Sequence, residues 1–192
     1  MTDPVSFALA VLFVLATPGP TNTLLATAAA TSSLRNCLAL MPAEMAGYTI
    51  SIGIFLLLVR PFAEASFFAT LMLRTVCAGY LLHLAWTLWR SGDRPSSGPI
   101  RFRHVFITTL LNPKAVVFAF LIFPGPSSPQ WVQLRSLGLF IGICAVCCTG
   151  WLTLGAMIGG QTGFFVTPRG FQRGAAIALA IFAVVMLGSV LQ

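Results

Sequence analysis

From Val5 to Ala30 the chain carries no charged side chain, and five more apolar runs follow, at about 37–59, 65–90, 104–124, 136–160 and 174–191. A helix rises about 1.5 Å per residue, so roughly 20 residues cross the hydrocarbon core of a bilayer. Each run is close to that length or longer. Lipid supplies no partner for backbone polar groups, so such runs fold as helices that satisfy themselves. The period-two alternation of barrel strands is absent. Of the 192 residues, 57% are hydrophobic and 8% charged, against roughly 25% charged in an ordinary globular domain. Too few charges are present to cover a water-soluble surface. The sequence therefore predicts an all-α membrane protein, a six-helix bundle in one membrane domain over residues 1–192. Membrane lipid surrounds such a domain.

The net charge is +7, but the basic residues are dispersed, with no dense run and no basic stripe interleaved with aromatics. Nucleic acid is not an expected partner. Residues 1–10 hold Asp3 and no Lys or Arg, so the basic region of a signal peptide is missing and the first run is expected to be retained. Arg35, Arg90, Arg94, Arg101, Arg103, Arg169 and Arg173 fall in loops one, three and five. Loops two and four hold Arg60 and, just inside the fifth run, Arg135. Positive charge concentrates on the cytoplasmic side of short loops. Loops one, three and five are thus expected inside, with both termini on the outer side. Arg74, within the third run, reads as a side chain snorkelling toward the outer interface, with a shortened helix starting around Met72.

The first run is interrupted by Pro18-Gly19-Pro20, followed by Thr21 and Asn22. Proline has no backbone N–H and clashes with the carbonyl four residues earlier. The carbonyls around Val14 to Ala16 therefore need new partners, which lipid cannot give. The fourth run is interrupted by Asn112-Pro113, with Lys114 directly after. A lysine at such depth costs about 2.5–3.5 kcal/mol on insertion scales, so it is expected to face the protein interior and to have a partner. Pro18 lies about 20 Å from the outer end of its run and Pro113 about 14 Å from the inner end of its own, both near the middle of a core about 30 Å thick. These are the first runs of two successive sets of three, at about 5–90 and 104–191. Three crossings is an odd number, so the second set is inverted relative to the first. Interrupted helices at matching positions of inverted repeats point to a transporter's binding site. Helices 1 and 4 are the interrupted ones.

Glu44 is the other costly residue, about 10 Å inward from the cytoplasmic end of the second run. Pro42, just before it, is expected to kink that helix. Intramembrane carboxylates mark proton relays, ion paths or substrate sites. Lys114 or the ammonium group of a substrate can supply the opposing charge. A purely structural Glu44–Lys114 pair, or a glutamate snorkelling to the interface, accounts for the same residue types.

Three stretches resemble a known family: "ATPGPTNTLLATAAATSS" (Ala16–Ser33), "AGYLLHLAWTLWRS" (Ala78–Ser91) and "LLNPKAVVFAFLIFP" (Leu110–Pro124). They are similar to the lysine-exporter family, LysE/RhtB, whose members are bacterial inner-membrane exporters of amino acids and related metabolites. The resemblance extends over most of the chain. It implies efflux of such a small-molecule substrate, coupled to the proton gradient by alternating access, and a fold of two related halves. It implies no cofactor, no metal and no catalytic residue. The sequence departs from the family pattern at Thr21, where many members have asparagine, at His83, where an apolar or aromatic residue is usual, and at Glu44, which is not part of the general pattern. The added carboxylate favours a cationic or zwitterionic cargo. Substrate-binding candidates are Pro18, Gly19, Pro20, Thr21, Asn22, Glu44, Asn112, Pro113 and Lys114.

Cys37, Cys77, Cys144, Cys147 and Cys148 lie in or beside apolar runs but not at either break, and read as packing residues. His83 is expected to hydrogen-bond within the bundle and His104 to lie at the cytoplasmic interface. Gly138-x-x-x-Gly142 and Gly155-x-x-x-Gly159 are close-packing faces, serving either contacts within one chain or a homodimer. The competing reading from another class is an intramembrane redox or hydrolytic enzyme. It lacks cysteines at the breaks and a Ser/His/Asp grouping at plausible depth.

Overall fold

A computed structural model describes residues 3–61, 66–90, 99–125 and 127–159, and part of 173–188. Arg94 and Arg169, and with them most of loops three and five, lie outside the described residues, as do much of the sixth run and the side chains of Arg74 and Cys77. The described chain is helical. Helix α1 spans Pro4–Ala16, α2 Pro20–Thr31, α3 Leu34–Val59, α4 Phe67–Arg90, α5 Phe102–Leu110, α6 Lys114–Ile122 and α7 Gln130–Gly159.

The two breaks follow from proline chemistry. A residue before proline is driven out of the helical region. Thr17, before Pro18, is extended at ψ 142°, and Gly19, before Pro20, at ψ 172°. Pro20 then restarts the helix at a position whose N–H is not needed. The result is a 60° bend between α1 and α2. Between α5 and α6 a single proline interrupts the chain, and the bend is smaller, at 48°. Among the described residues, α3 and α7 are each long and apolar enough to cross a membrane, and each bent pair passes the same test when taken as one span. Helix α4 begins at Phe67 rather than near Met72, and its 24 residues suffice by length alone.

Pro42 does not break α3. The helix tightens to a 3₁₀ turn at Leu38–Leu40, and Pro42 falls in the first turn where α-geometry resumes, a position that tolerates a missing N–H. The far end of α3 loosens to a π-turn at Phe55–Val59. The far end of α6 does the same at Phe118–Ile122. These two turns are bridged by Arg60, whose Nη1 donates to the carbonyls of Ala119, Phe123 and Pro124 at 3.0, 3.1 and 3.3 Å. Helix α7 begins at Gln130, a turn and a half before the apolar run, because Trp131 and Arg135 give its first turns an amphipathic edge with the guanidinium over the ring.

Two apolar clusters hold the bundle together. One gathers Phe7, Val11, Tyr48, Ile52, Phe118 and Phe140, with Tyr48, Phe118 and Phe140 in mutual edge-to-face contact at 4.9–5.9 Å. The other gathers Leu25, Ala29, Leu40, Ala43, Val105, Cys148 and Leu152. Along each helix the polar residues fall between them: Thr21 between Leu15 and Leu25, Glu44 between Ala43 and Tyr48. The outer faces carry exposed Leu9, Phe13, Leu57, Val146 and Met157, an apolar coat suited to lipid.

Gly155 and Gly159 seat α7 directly on the backbone of α2: a Cβ at either would collide with the carbonyl oxygen of Ala26 or Ala30. That face serves a contact within the chain. A Cβ at Gly138 or Gly142 would meet nothing. Helix α4 contacts the last helical segment through Ala78 and Ala85 against Ala176 and Ala183. His83 lies off that face and is exposed, and its ring has no hydrogen-bond partner among the described residues. His104 is exposed at the start of α5, where its Nδ1 accepts from the Arg101 amide at 3.3 Å.

Candidate functional site

The break between α1 and α2 leaves the last carbonyls of α1 without helical partners. Asn22 supplies them. Its Nδ2 donates to the carbonyls of Leu15 at 2.8 Å and Thr17 at 2.9 Å. Thr17 Oγ1 donates back to the Val14 carbonyl at 2.7 Å. Thus one asparagine, two residues past the second proline, stitches the bend across itself. At the start of α2, Gly19 offers no capping side chain.

The second break is organised by Asn112 in the same manner. Its Oδ1 accepts the Lys114 amide at 3.0 Å, which caps the start of α6. Its Nδ2 donates to Thr21 Oγ1 at 3.0 Å and to Tyr48 Oη at 3.1 Å. Thr21 Oγ1 is 3.2 Å from Thr109 Oγ1, which donates to the Val105 carbonyl at 2.8 Å. Asn112, Thr21, Thr109 and the Val105 carbonyl thereby form one chain of donors and acceptors joining α2, α5 and the second break. Gly47 lets α5 come close enough for this, since a Cβ there would lie 2.7 Å from Thr109 Cβ.

Lys114 closes the joint. Its side chain runs from the second break to the first, and Nζ donates to the Thr17 carbonyl at 2.6 Å. A Cβ on Gly19 would stand 3.1 Å from Lys114 Cε and 3.2 Å from Nζ, so the glycine makes room for the ammonium group. Lys114 is 1% exposed. The sequence places both breaks at similar depth; the structure brings them into contact.

Glu44 lies 2% exposed on α3, so it does not snorkel. It is within electrostatic range of Lys114 and within hydrogen-bonding reach of Cys148. Oε2 has no hydrogen-bond partner. The Lys114 ammonium donates to the Thr17 carbonyl while Glu44 stands within electrostatic range of it. A buried carboxylate oxygen left open is costly, and among the described residues none gives this one a hydrogen bond. Pro18, Pro20 and Pro113 act through the backbone they bend. Among the described residues no group of His, Cys, Asp and Glu is arranged to hold a metal ion. Cys37, Cys144, Cys147 and Cys148 are free thiols packed in the helical interfaces.

A family model for the LysE type translocator matches residues 12–190. The chain belongs to the LysE type translocator family. No curated protein and no solved structure matches it. The translocator's match extends over both breaks and all nine candidate residues.

Three residues of the translocator's polar cluster are not evident from its sequence: Thr17, Tyr48 and Thr109. Two signals point to Tyr48 and Thr109 in retrospect, and none to Thr17. Tyr48 follows Glu44 by four residues and Thr109 precedes Asn112 by three, spacings that put each pair on one helix face. A tyrosine deep in an apolar run also needs a partner for its hydroxyl.

Proposed function

We propose that this translocator exports amino acids or related small metabolites across the bacterial inner membrane, coupled to the proton gradient by alternating access. In this reading the chain is a single domain of two inverted three-helix repeats, with both termini outside. The substrate binds where the two breaks meet. Gly19 and the first amides of α2 offer donors to a substrate carboxylate, as helix N-termini do. Glu44 meets the substrate's ammonium group or exchanges a proton with it. Rocking of one half against the other turns the site from one side to the other.

The observation that carries this reading is the direct bond between the breaks, Lys114 Nζ to the Thr17 carbonyl, beside the unpartnered Oε2 of Glu44. A merely structural joint has no use for an open carboxylate. The polar candidates Thr21, Asn22, Glu44, Asn112 and Lys114 are all buried in this conformation, while Pro18 and Pro20 are half-buried. The test is export of a panel of radiolabelled amino acids from cells expressing the protein, with Glu44→Gln and Lys114→Ala beside it. Export of at least one amino acid by the wild type, lost in both variants, is expected. Equal export by all three removes the site assignment, and no export of any amino acid removes the substrate class.

A further inference from the structure

We infer that the ammonium group of Lys114 is a built-in monovalent cation, docked on the carbonyl end of α1 in the place that a free alkali ion would otherwise take. The inference rests on the transport reading, because it concerns the joint where the substrate is placed, but it is tested without transport.

The carbonyl end of a helix carries about half a negative charge, concentrated on its unsatisfied oxygens. Where a helix is broken inside a membrane, such oxygens hold monovalent cations in transporters of several designs. Here α1 ends at Ala16 in the middle of the bundle. Thr17 Oγ1 takes the Val14 oxygen, and two donors from elsewhere share those of Leu15 and Thr17. Asn22 Nδ2 takes Leu15 and one side of Thr17; Lys114 Nζ takes the other side of Thr17 at 2.6 Å. The neutral amide supplies no charge, so the ammonium supplies all of it. The contact is short, as charge-assisted hydrogen bonds are. Gly19 closes the pocket around it, with room for Cε and Nζ and no more.

The charged and titratable groups that face Nζ are Glu44 from α3 and Cys147 from α7. Neither takes the ammonium away from the carbonyl. A sodium or potassium ion needs several oxygen ligands, and the Thr17 oxygen is already shared by two donors. The cation therefore belongs to α6 and travels with it. When the two breaks separate, the positive charge leaves with Lys114, and no alkali ion has to be bound or released. A protein of this build depends on neither Na⁺ nor K⁺ for the integrity of its central joint.

The experiment is thermal unfolding of the purified protein in detergent, in NaCl, KCl or choline chloride at equal concentration. The wild type is expected to melt at the same temperature in all three. Lys114→Ala removes three carbons and the ammonium group, which together are n-propylammonium. This variant is expected to melt at least about 5 °C lower, the loss of a charged hydrogen bond in a chain of this size. Titration with n-propylammonium chloride should recover at least half of that loss and saturate, as binding to the folded state does, while leaving the wild type unchanged. Lys114→Met fills the space without charge and should not respond. Saturable stabilisation of the wild type by Na⁺ or K⁺ overturns the inference, because a free cation site then exists beside the lysine. So does a Lys114→Ala protein that ignores n-propylammonium, Na⁺ and K⁺ alike. If Lys114→Ala cannot be purified, the wild-type salt comparison still decides: equal melting supports the inference, and saturable stabilisation by Na⁺ or K⁺ refutes it. Loss of amino-acid export with an intact cation result, or the reverse, separates this inference from the transport reading.

Discussion

Asn112→Ala is the most informative single change to the joint. The side chain makes three buried hydrogen bonds, to Thr21 Oγ1, to Tyr48 Oη and from the Lys114 amide. Alanine keeps none of them. The Lys114 N–H is left at the start of α6 without its acceptor, and the link between the second break and α2 is lost. Hydrogen bonds between membrane helices average about 0.6 kcal/mol and reach about 1.7. Three of them amount to roughly 2–5 kcal/mol on that scale. For a chain of about 190 residues this lowers Tm by at least about 4 °C. The assay is thermal unfolding in detergent followed by tryptophan fluorescence. Leu9→Ala, on the exposed face of α1, is the control, and it should lie close to the wild type because it removes lipid-facing contact alone. If Asn112→Ala melts within error of Leu9→Ala, the amide does not hold the two breaks together, and the account of the site given above fails at its base.

Two further predictions concern packing. Gly155→Val should prevent accumulation of folded protein, since the new side chain enters the Ala26 backbone, whereas Gly138→Ala should be tolerated or raise Tm slightly through better helix propensity; equal behaviour of the two in a fluorescence size-exclusion profile refutes the packing assignment. Arg60→Ala should lower Tm by several degrees, because three carbonyls at the end of α6 lose a charged donor. Arg60→Lys should restore only part of the loss, since a flexible ammonium lacks the guanidinium's pre-organised planar fork; full restoration by Lys would show that charge alone matters there.

The breaks were legible in the sequence because proline acts locally. Pro18, Pro20 and Pro113 each remove a donor and push the preceding residue out of the helix, whatever surrounds them. Lys114 and Glu44 were legible because charge at mid-depth is too costly to be incidental. The partners were harder to read. Tyr48, Thr109 and Thr17 look like ordinary residues of apolar runs, and their bonds to Asn112, Thr21 and Lys114 cross 64, 88 and 97 positions of chain. Local spacing and a deep hydroxyl mark Tyr48 and Thr109 as needing partners, but do not say which partners across such a range. The Lys114 bond to the Thr17 carbonyl was hidden for the same reason, since that acceptor comes from the bent backbone 97 positions away. The π-turns at Phe55–Val59 and Phe118–Ile122 have no sequence signature either. They arise at helix ends, where Arg60 ties loosened carbonyls together.

The seating of Gly155 and Gly159 on Ala26 and Ala30 has a mechanical consequence. With no side chain between them, α2 and α7 have nothing that can rotate aside, so their backbones meet as a close-packed beam. Thr21 and Asn22 ride on that beam at one end. Lys114 and Asn112 belong to the other side of the joint. In the transport reading proposed above, the bond from Lys114 Nζ to the Thr17 carbonyl is the contact between α6 and the first bend that opens as the site changes sides.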